Sequence, residues 1–551
     1  MYNENFIKLF ENSIKENWSS PALSDYRRST LTYGQLAESM ETWRLVWEKA
    51  GILPGDKIAI NAKSSATWAT VFMAAVSNGF VAVQLFNGFT PSDTQNLVNH
   101  SESKILFTEK RIFDGMDFEA MPALVGVIDC NTGELLASRC GFDVILASGK
   151  SMLAAKYPGG MKPSDVSLVH DDIDAVCAIM YTSGSTGNPK GVMLKVRNFS
   201  ANVFVVPHRG FPYRKGETYL SLLPYAHIFG LTFDVLLPLC TGMHTTVLGI
   251  PPIPANLREA LMDVRPRMLF AVPLIYIKFI EHIIGPYLHS EEGKAMLADY
   301  ESHPQYCKML SDILLSSMGG NMEVFATGGA ATPFELESLL IDKLKVPFIT
   351  GYGMSECAPL IAIGILGNYA KRSCGKYLDE CLELKIDSAD QEGIAGEVLV
   401  KGDCVFAGYF KNDEATAASY TEDGWFRTGD MGTVGGDRDL FLVGRCKNML
   451  LSSNGQNIYP EEIEVVLNEL PYVSESLIVQ RDSKLVALVV VNLDAASNAQ
   501  LSAESLESVM KQNIVKLNSK IPAYSSVSGY ELLYEPFKKT PKGSIRRFLY
   551  K

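Results

Sequence analysis

The chain has 551 residues, 47% of them hydrophobic and 20% charged, the proportions of a globular protein with more chain than one core usually holds. Fifty Lys and Arg against 62 Asp and Glu leave a net charge of −12, which argues against general nucleic-acid binding. The ten cysteines form no C-x-x-C pairs and no Cys/His clusters, and several, such as Cys177 and Cys240, lie in apolar runs; they read as reduced core thiols of a cytoplasmic protein. No basic segment followed by an apolar run opens the chain, so no signal peptide is expected.

Residues 1–445 alternate helical and strand patterns, which predicts a large layered α/β domain. Thr32-Tyr-Gly-Gln-Leu36 through Gly51-Ile-Leu-Pro-Gly-Asp56 reads as a helix ended by glycine, then a turn, then a strand at Lys57-Ile-Ala-Ile-Asn61. Residues 66–92 carry no charge, but Ser77-Asn78-Gly79 interrupts them, and Gln84 and Asn87 follow. A buried helix, a turn and a buried strand around Val81–Leu85 account for this run better than a transmembrane segment, and peripheral membrane contact stays open.

Ala175-Val-Cys-Ala-Ile-Met180 reads as a buried strand. It empties into Tyr181-Thr-Ser-Gly-Ser-Thr-Gly-Asn-Pro-Lys-Gly191, with three glycines, four hydroxyls and a lysine in the ten residues after Tyr181. Glycines let backbone N–H groups converge on an anion, hydroxyls add donors, and lysine adds charge. The common nucleoside-triphosphate loop has glycine before its lysine and Ser or Thr after it; here Pro189 and Gly191 flank Lys190, so phosphate would be held in another geometry. The alternative is an ordinary Ser/Gly-rich surface loop. After Arg445 the pattern changes. Pro460-Glu461-Glu462 opens a helix whose inner face is Ile463, Val466, Leu467 and Leu470. Leu485 to Val491 is a strand, and Leu506, Val509, Met510, Ile514 and Leu517 form a second helical stripe. Residues 446–551 are therefore expected to be a small α+β domain.

The segment from Tyr181 to Gly191 resembles the signature loop of the adenylate-forming superfamily of acyl-CoA synthetases, luciferases and peptide-synthetase adenylation domains. The resemblance implies a large N-terminal AMP-binding domain, a small mobile C-terminal domain, and activation of a carboxylic acid with ATP. It assigns the nucleotide to Thr182, Ser183, Gly184, Ser185, Thr186, Gly187 and Lys190. Gly328-Gly329-Ala330 resembles the adenine-side loop, though a strand-to-helix turn explains it equally. Gly351-Tyr352-Gly353-Met354-Ser355-Glu356 resembles the second nucleotide motif, with Tyr352 stacking on adenine and Glu356, together with Thr186, holding magnesium. Trp425-Phe-Arg-Thr-Gly-Asp430 resembles the ribose motif, Asp430 accepting from two hydroxyls and Arg445 donating nearby. His227, in Pro224-Tyr-Ala-His-Ile-Phe-Gly230, matches a histidine that flanks the acyl site; by its surroundings alone it reads as a core histidine. Lys447 falls at the interdomain hinge, and Gly455 in the loop that admits the pantetheine arm.

The pattern breaks near the end. Family members carry Thr-Pro-Ser-Gly-Lys-Ile, whose lysine serves adenylation; this chain reads Thr540-Pro-Lys-Gly-Ser-Ile545. Ser544 stands at the lysine's place, and Lys542 is the candidate substitute, with Lys538 and Lys539 as others. Val272-Pro-Leu-Ile-Tyr276, the stretches Gly402 to Tyr409 and Lys447 to Ile463, and an insertion-like stretch from His282 to Ser317 resemble the long-chain fatty acyl-CoA synthetase branch. Phe229, Phe233, Leu236 and Leu237 read either as the wall of an acyl tunnel or as core. Phe233-Asp234 superficially matches the point where peptide-synthetase domains hold a substrate amine. The expected activity is fatty acid–CoA ligation with ATP, magnesium and coenzyme A; the alternatives are loading of an acyl-carrier protein or a catalytically weakened ATP-binding homologue.

Overall fold

The computed structural model describes residues 4–168, 172–182, 189–451, 457–481, 484–539 and 545–550. Apolar strands and helices alternate through the first part of the chain, and they assemble around an eight-stranded sheet. At its centre Lys57–Asn61, Val81–Gln84, Ile105–Thr108 and Val176–Thr182 run parallel. Buried parallel strands need apolar cover on both faces. The uncharged run supplies it: in the helix Ala66–Val76, ten of 11 residues are buried. Ser65 Oγ caps that helix by accepting from Trp68 N at 3.1 Å, and Gly79 turns the chain at φ +80° into the strand Val81–Gln84. Among the described residues no helix is long and apolar enough to cross a membrane.

A five-stranded sheet follows the same logic, with Met268–Ala271, Val324–Thr327 and Phe348–Gly353 parallel and Leu360–Ile363 and Lys376–Tyr377 antiparallel beyond them. Helices Pro254–Val264, Pro273–His289 and Pro304–Ser317 bury Leu261, Phe279 and Leu310 against its Leu269, Phe325 and Phe348. The stretch from His282 to Ser317 thus covers one face of this sheet. An antiparallel sheet of Leu382–Asp387, Gly396–Gly402, Phe426–Val434 and Leu440–Arg445 comes next. From Ile458 onward the chain builds a buried cluster of its own. Strands Val473–Arg481, Lys484–Val491 and Val527–Leu533 carry helices Pro460–Asn468 and Ala503–Lys520 on one face, and Phe537 packs on the other.

Asp234 is a structural carboxylate, not a substrate ligand. It is fully buried in the helical turn Leu231–Leu236 and accepts from Tyr219 Oη at 2.7 Å, Ser221 Oγ at 2.9 Å, Leu222 N at 3.1 Å and Leu223 N at 3.0 Å. These protein donors use the acceptor capacity that an amine would need. Phe233, Leu236 and Leu237 beside it are fully buried in the main core, so the core reading holds for these three; Phe229 alone of the four is partly exposed. Burial pushes the Asp234 carboxyl up from 3.8 to about 7, against the pull of its four donors. The fold therefore keeps a proton that the unfolded chain has lost, so this group's contribution to stability declines as pH rises from its unfolded value toward about 7. Asp234→Asn removes that decline. The stability gap between wild type and variant in urea unfolding should narrow by about 2 kcal/mol between about pH 5 and about pH 8; a constant gap would mean that the carboxylate is ionised in the fold throughout.

Candidate active site

The strand Val176–Thr182 does not simply empty into a loop. It pairs antiparallel with Lys190–Lys195, which places Thr182 directly opposite Lys190 at the mouth of a hairpin. Ser183, Gly184, Ser185, Thr186 and Gly187, the other expected phosphate residues, lie outside the described residues. The base of the hairpin is tightly braced. A Cβ on Gly191 would stand 3.0 Å from Ile179, 3.2 Å from Phe410 and 3.3 Å from the Tyr181 ring, so this glycine serves packing. Tyr181 Oη and His100 Nδ1 lie 2.6 Å apart behind it.

Two glycine loops meet at the ends of the five-stranded sheet. A Cβ on Gly328 would stand 3.2 Å from Gly351 O and 3.7 Å from the Phe229 ring; Gly329 is left-handed at φ +78°, and Ala330 follows it. Gly353 admits no side chain, since its Cβ would meet Pro359 O at 2.1 Å where the strand turns back. Met354 N donates to that same carbonyl at 2.8 Å, and Ser355 opens the one-turn helix that carries Glu356.

Tyr352 and Asp430 are joined: the buried tyrosine donates its hydroxyl to Asp430 Oδ2 at 2.5 Å. Arg445 stands opposite Asp430 in the strand pair, and its Nε lies 2.6 Å from Oδ1. Burial raises the Asp430 pKa, with Arg445 and the Tyr352 hydroxyl opposing it. Each carboxylate oxygen still has a lone pair for a ribose hydroxyl. Glu356 Oε1 accepts from Tyr409 Oη at 2.9 Å, and Lys190 Nζ sits 4.7 Å from the centre of the same tyrosine ring. Among the described residues no group of three or more His, Cys, Asp or Glu could enclose a metal. A partly exposed single carboxylate, Glu356, reached through Tyr409 from the Lys190 hairpin, suits magnesium, which takes one or two protein carboxylates and completes its shell with phosphate and water.

His227 precedes the short helix Ile228–Gly230, its ring 5.0 Å from Phe86 and tilted by 46°. A Cβ on Gly230 would stand 2.5 Å from Pro224 O, which fixes this turn. Phe229 connects it to Gly328. The sequence candidates Lys190, His227, Gly328, Gly351, Tyr352, Glu356, Asp430 and Arg445 are therefore linked in small groups of contacts at strand ends. Tyr409 was missed; the only signal was its place at the end of the Gly402 to Tyr409 phrase.

Lys447 lies exposed in the turn Cys446–Asn448. Next to it Asn448 Nδ2 donates to Glu461 Oε1 at 2.5 Å, and a Cβ on Gly444 would stand 3.0 Å from Glu461 Oε2. Arg547 pairs with Glu464 on the same helix. Gly455, Lys542 and Ser544 lie outside the described residues; of the substitutes, Lys539 is ion-paired with Glu475.

An AMP-binding enzyme model matches residues 10–410, and an AMP-binding enzyme C-terminal domain model matches residues 447–550. The chain is 25% identical to the probable acyl-activating enzyme 16, chloroplastic, of Arabidopsis thaliana, across 93% of this chain and 78% of that one. It is 27% identical to long-chain-fatty-acid–CoA ligase 1 of Homo sapiens, across 83% and 69%. In fold it matches the anthranilate CoA ligase AuaEII in complex with anthranoyl-AMP, with a TM-score of 0.78, 18% identity, and 99% and 96% of the two chains covered. ATP-bound MatB from Rhodopseudomonas palustris gives a TM-score of 0.76 at 20% identity, with 99% and 98% covered. With most of its length matched by the first model and residues 447–550 by the second, the chain belongs to the AMP-binding enzyme family.

Proposed function

We propose that this protein activates a medium- or long-chain fatty acid with ATP and passes the acyl group to coenzyme A, in the cytoplasm. The observation that carries the nucleotide half is the paired arrangement of Tyr352, Asp430 and Arg445 beside Glu356, Tyr409 and Lys190. The first set offers an aromatic ring and a carboxylate to a nucleoside, the second a cation and a carboxylate to its phosphates. Support for the acyl half comes from the relatives named as long-chain-fatty-acid–CoA ligases.

In this reading the acid's carboxylate oxygen bonds to the α-phosphorus, and pyrophosphate leaves with the bridging oxygen, held by Lys190, Thr182 and the Ser183–Gly187 residues. Magnesium, when bound, offsets charge on the triphosphate, with Glu356 and Thr186 as its proposed ligands. His227 flanks the acyl carbon, and Lys542 takes the part of the absent family lysine. The thiol sulfur of coenzyme A then attacks the acyl carbon and AMP leaves, after residues 446–551 swing about Lys447 relative to residues 1–445 and bring Gly455 to the thiol path. An acyl-carrier protein is the alternative acceptor.

A compact aromatic acid is the second reading. It is favoured by the full burial of Phe233, Leu236 and Leu237, which leaves only Phe229 of these four partly exposed to meet an acid, and anthranilate and benzoate CoA ligases are among the proteins of similar fold.

Pyrophosphate release measured across a ladder of fatty acids and a set of benzoates, with and without coenzyme A, tests the proposal. Release that rises with chain length and quickens with the thiol is the expected result. Release with benzoates alone would replace the fatty acid by the aromatic one, and nucleotide binding without release for any acid would sink the ligase. Tyr352 gives a second test. Tyr352→Phe keeps the ring and should hold ATP affinity within about threefold, while Tyr352→Ala should lose about tenfold or more; equal losses would mean that the tyrosine acts only through Asp430.

A further inference from the structure

Tyr409 touches both of the oppositely charged groups assigned to the phosphate end of the site. Its hydroxyl donates to Glu356 Oε1 at 2.9 Å, and its ring faces Lys190 Nζ at 4.7 Å from the centroid. Among the described residues no ion pair joins Lys190 to Glu356. A lysine and a glutamate that pair each neutralise the charge the other needs for a phosphate or a metal.

The backbone makes Tyr409 a fixed support. The strand Gly408–Tyr409 pairs with the edge of the Lys190–Lys195 strand, Tyr409 opposite Val192 and Gly408 opposite Met193. Phe410 N donates to Gly191 O at 2.7 Å, which ties the next residue to the hairpin base. Tyr409 N donates to Thr416 Oγ1 at 2.9 Å, and Gly408, at φ +131°, leaves no room for a Cβ, which would stand 2.7 Å from Thr416. On the acid's side, Phe406 N donates to Glu356 O at 2.8 Å, so one segment holds both the backbone and the carboxylate of Glu356. Phe406 packs edge-on against the Tyr409 ring at 4.9 Å.

We propose that Tyr409 is a positioning residue that aims Glu356 and Lys190 separately, its hydroxyl turning the carboxylate toward a divalent cation and its ring holding the ammonium toward the triphosphate. The inference rests on the metal and phosphate roles proposed for Glu356 and Lys190. The two contacts belong to different parts of one side chain, so they can be removed one at a time. A phenol donating to a carboxylate and a cation over a ring each contribute a modest but measurable amount.

The test is ATP binding by titration calorimetry on the full chain, with and without magnesium, for wild type, Tyr409→Phe and Tyr409→Leu. This readout needs no turnover, so it stands whatever the acid proves to be. Tyr409→Phe loses the hydroxyl and keeps the ring. It should raise the magnesium concentration for half-maximal enhancement of ATP binding by about threefold to tenfold, and leave metal-free ATP affinity within about twofold. Tyr409→Leu loses both contacts and should in addition weaken metal-free ATP binding by about threefold or more. Unchanged magnesium dependence in Tyr409→Phe would overturn the proposal, and so would a uniform loss in both conditions, the mark of a merely structural residue. Should Tyr409→Leu fail to fold, the magnesium split in Tyr409→Phe decides alone. Wild-type ATP binding that ignores magnesium would overturn the metal role of Glu356 and this inference with it, whereas ATP binding without pyrophosphate release would fail the ligase reading only.

Discussion

The constraint on which the rest of the site depends is the burial of the Asp430 carboxylate. A carboxylate taken out of water must be met by donors or give up its charge. Here the donors come from two sheets: Tyr352 from the end of the five-stranded sheet and Arg445 from the strand beside Asp430. Satisfying one buried acid therefore ties two sheets together, alongside the backbone hydrogen bonds from Cys374 N to Leu440 O and from Leu440 N to Gly375 O. Tyr352 is flanked by glycines, and the one after it is required by the turn that follows. Gly351 lies against Gly328, and Gly353 lies against the Pro359 carbonyl, with no space for a Cβ on Gly353. The glycines allow close approach, and the carboxylate makes that approach favourable.

The phosphate end is organised by the opposite means. There the charges are kept from satisfying each other. Lys190 and Glu356 both rest on one aromatic side chain from a third segment, and each keeps capacity for a ligand. The two ends of the site thus use opposite electrostatic designs. Asp430 and Arg445 are paired within the protein, a fixed frame that suits the neutral sugar of the proposed reading. Glu356 and Lys190 are not paired with each other, which suits the charged triphosphate and counterion proposed there.

Much of this was legible in the sequence where it depends on local pattern. The uncharged run resolved correctly into a helix and a strand because Asn78-Gly79 breaks it, and the Pro460 helix and the strand ending at Val491 followed from capping and apolar repeats. What sequence could not supply was the identity of partners far away in the chain. Tyr409 meets an acid 53 positions earlier and a lysine much further back. Asp234 sits in a pattern that fits an amine ligand, yet its donors lie at 219–223, and only folding shows that they consume it. Phe233, Leu236 and Leu237 have the composition of a tunnel wall and of a core alike; burial makes them core. Gly191 looked like one more phosphate glycine and proves to be a packing glycine at the base of a hairpin whose return strand the sequence did not announce.

The proposed pivot at Lys447 has a consequence for how a nucleotide would be kept between two half-reactions. Asp430 and Arg445 are register partners in one strand pair, and both precede Lys447 in the chain. A rotation at Lys447 therefore leaves the Asp430–Arg445 pair, and Tyr352 with it, in place. What it changes spans the pivot: the close approach of Glu461 to Gly444; the hydrogen bond from Asn448 to Glu461 lies wholly beyond Lys447 and travels with the small domain. The absence of a side chain at Gly444 keeps that interface thin, since any Cβ there would press on Glu461. The geometry thus separates two functions along a few residues of chain. In the proposed reading the residues up to Arg445 hold the nucleoside, and those from Cys446 onward turn while that grip stays in place.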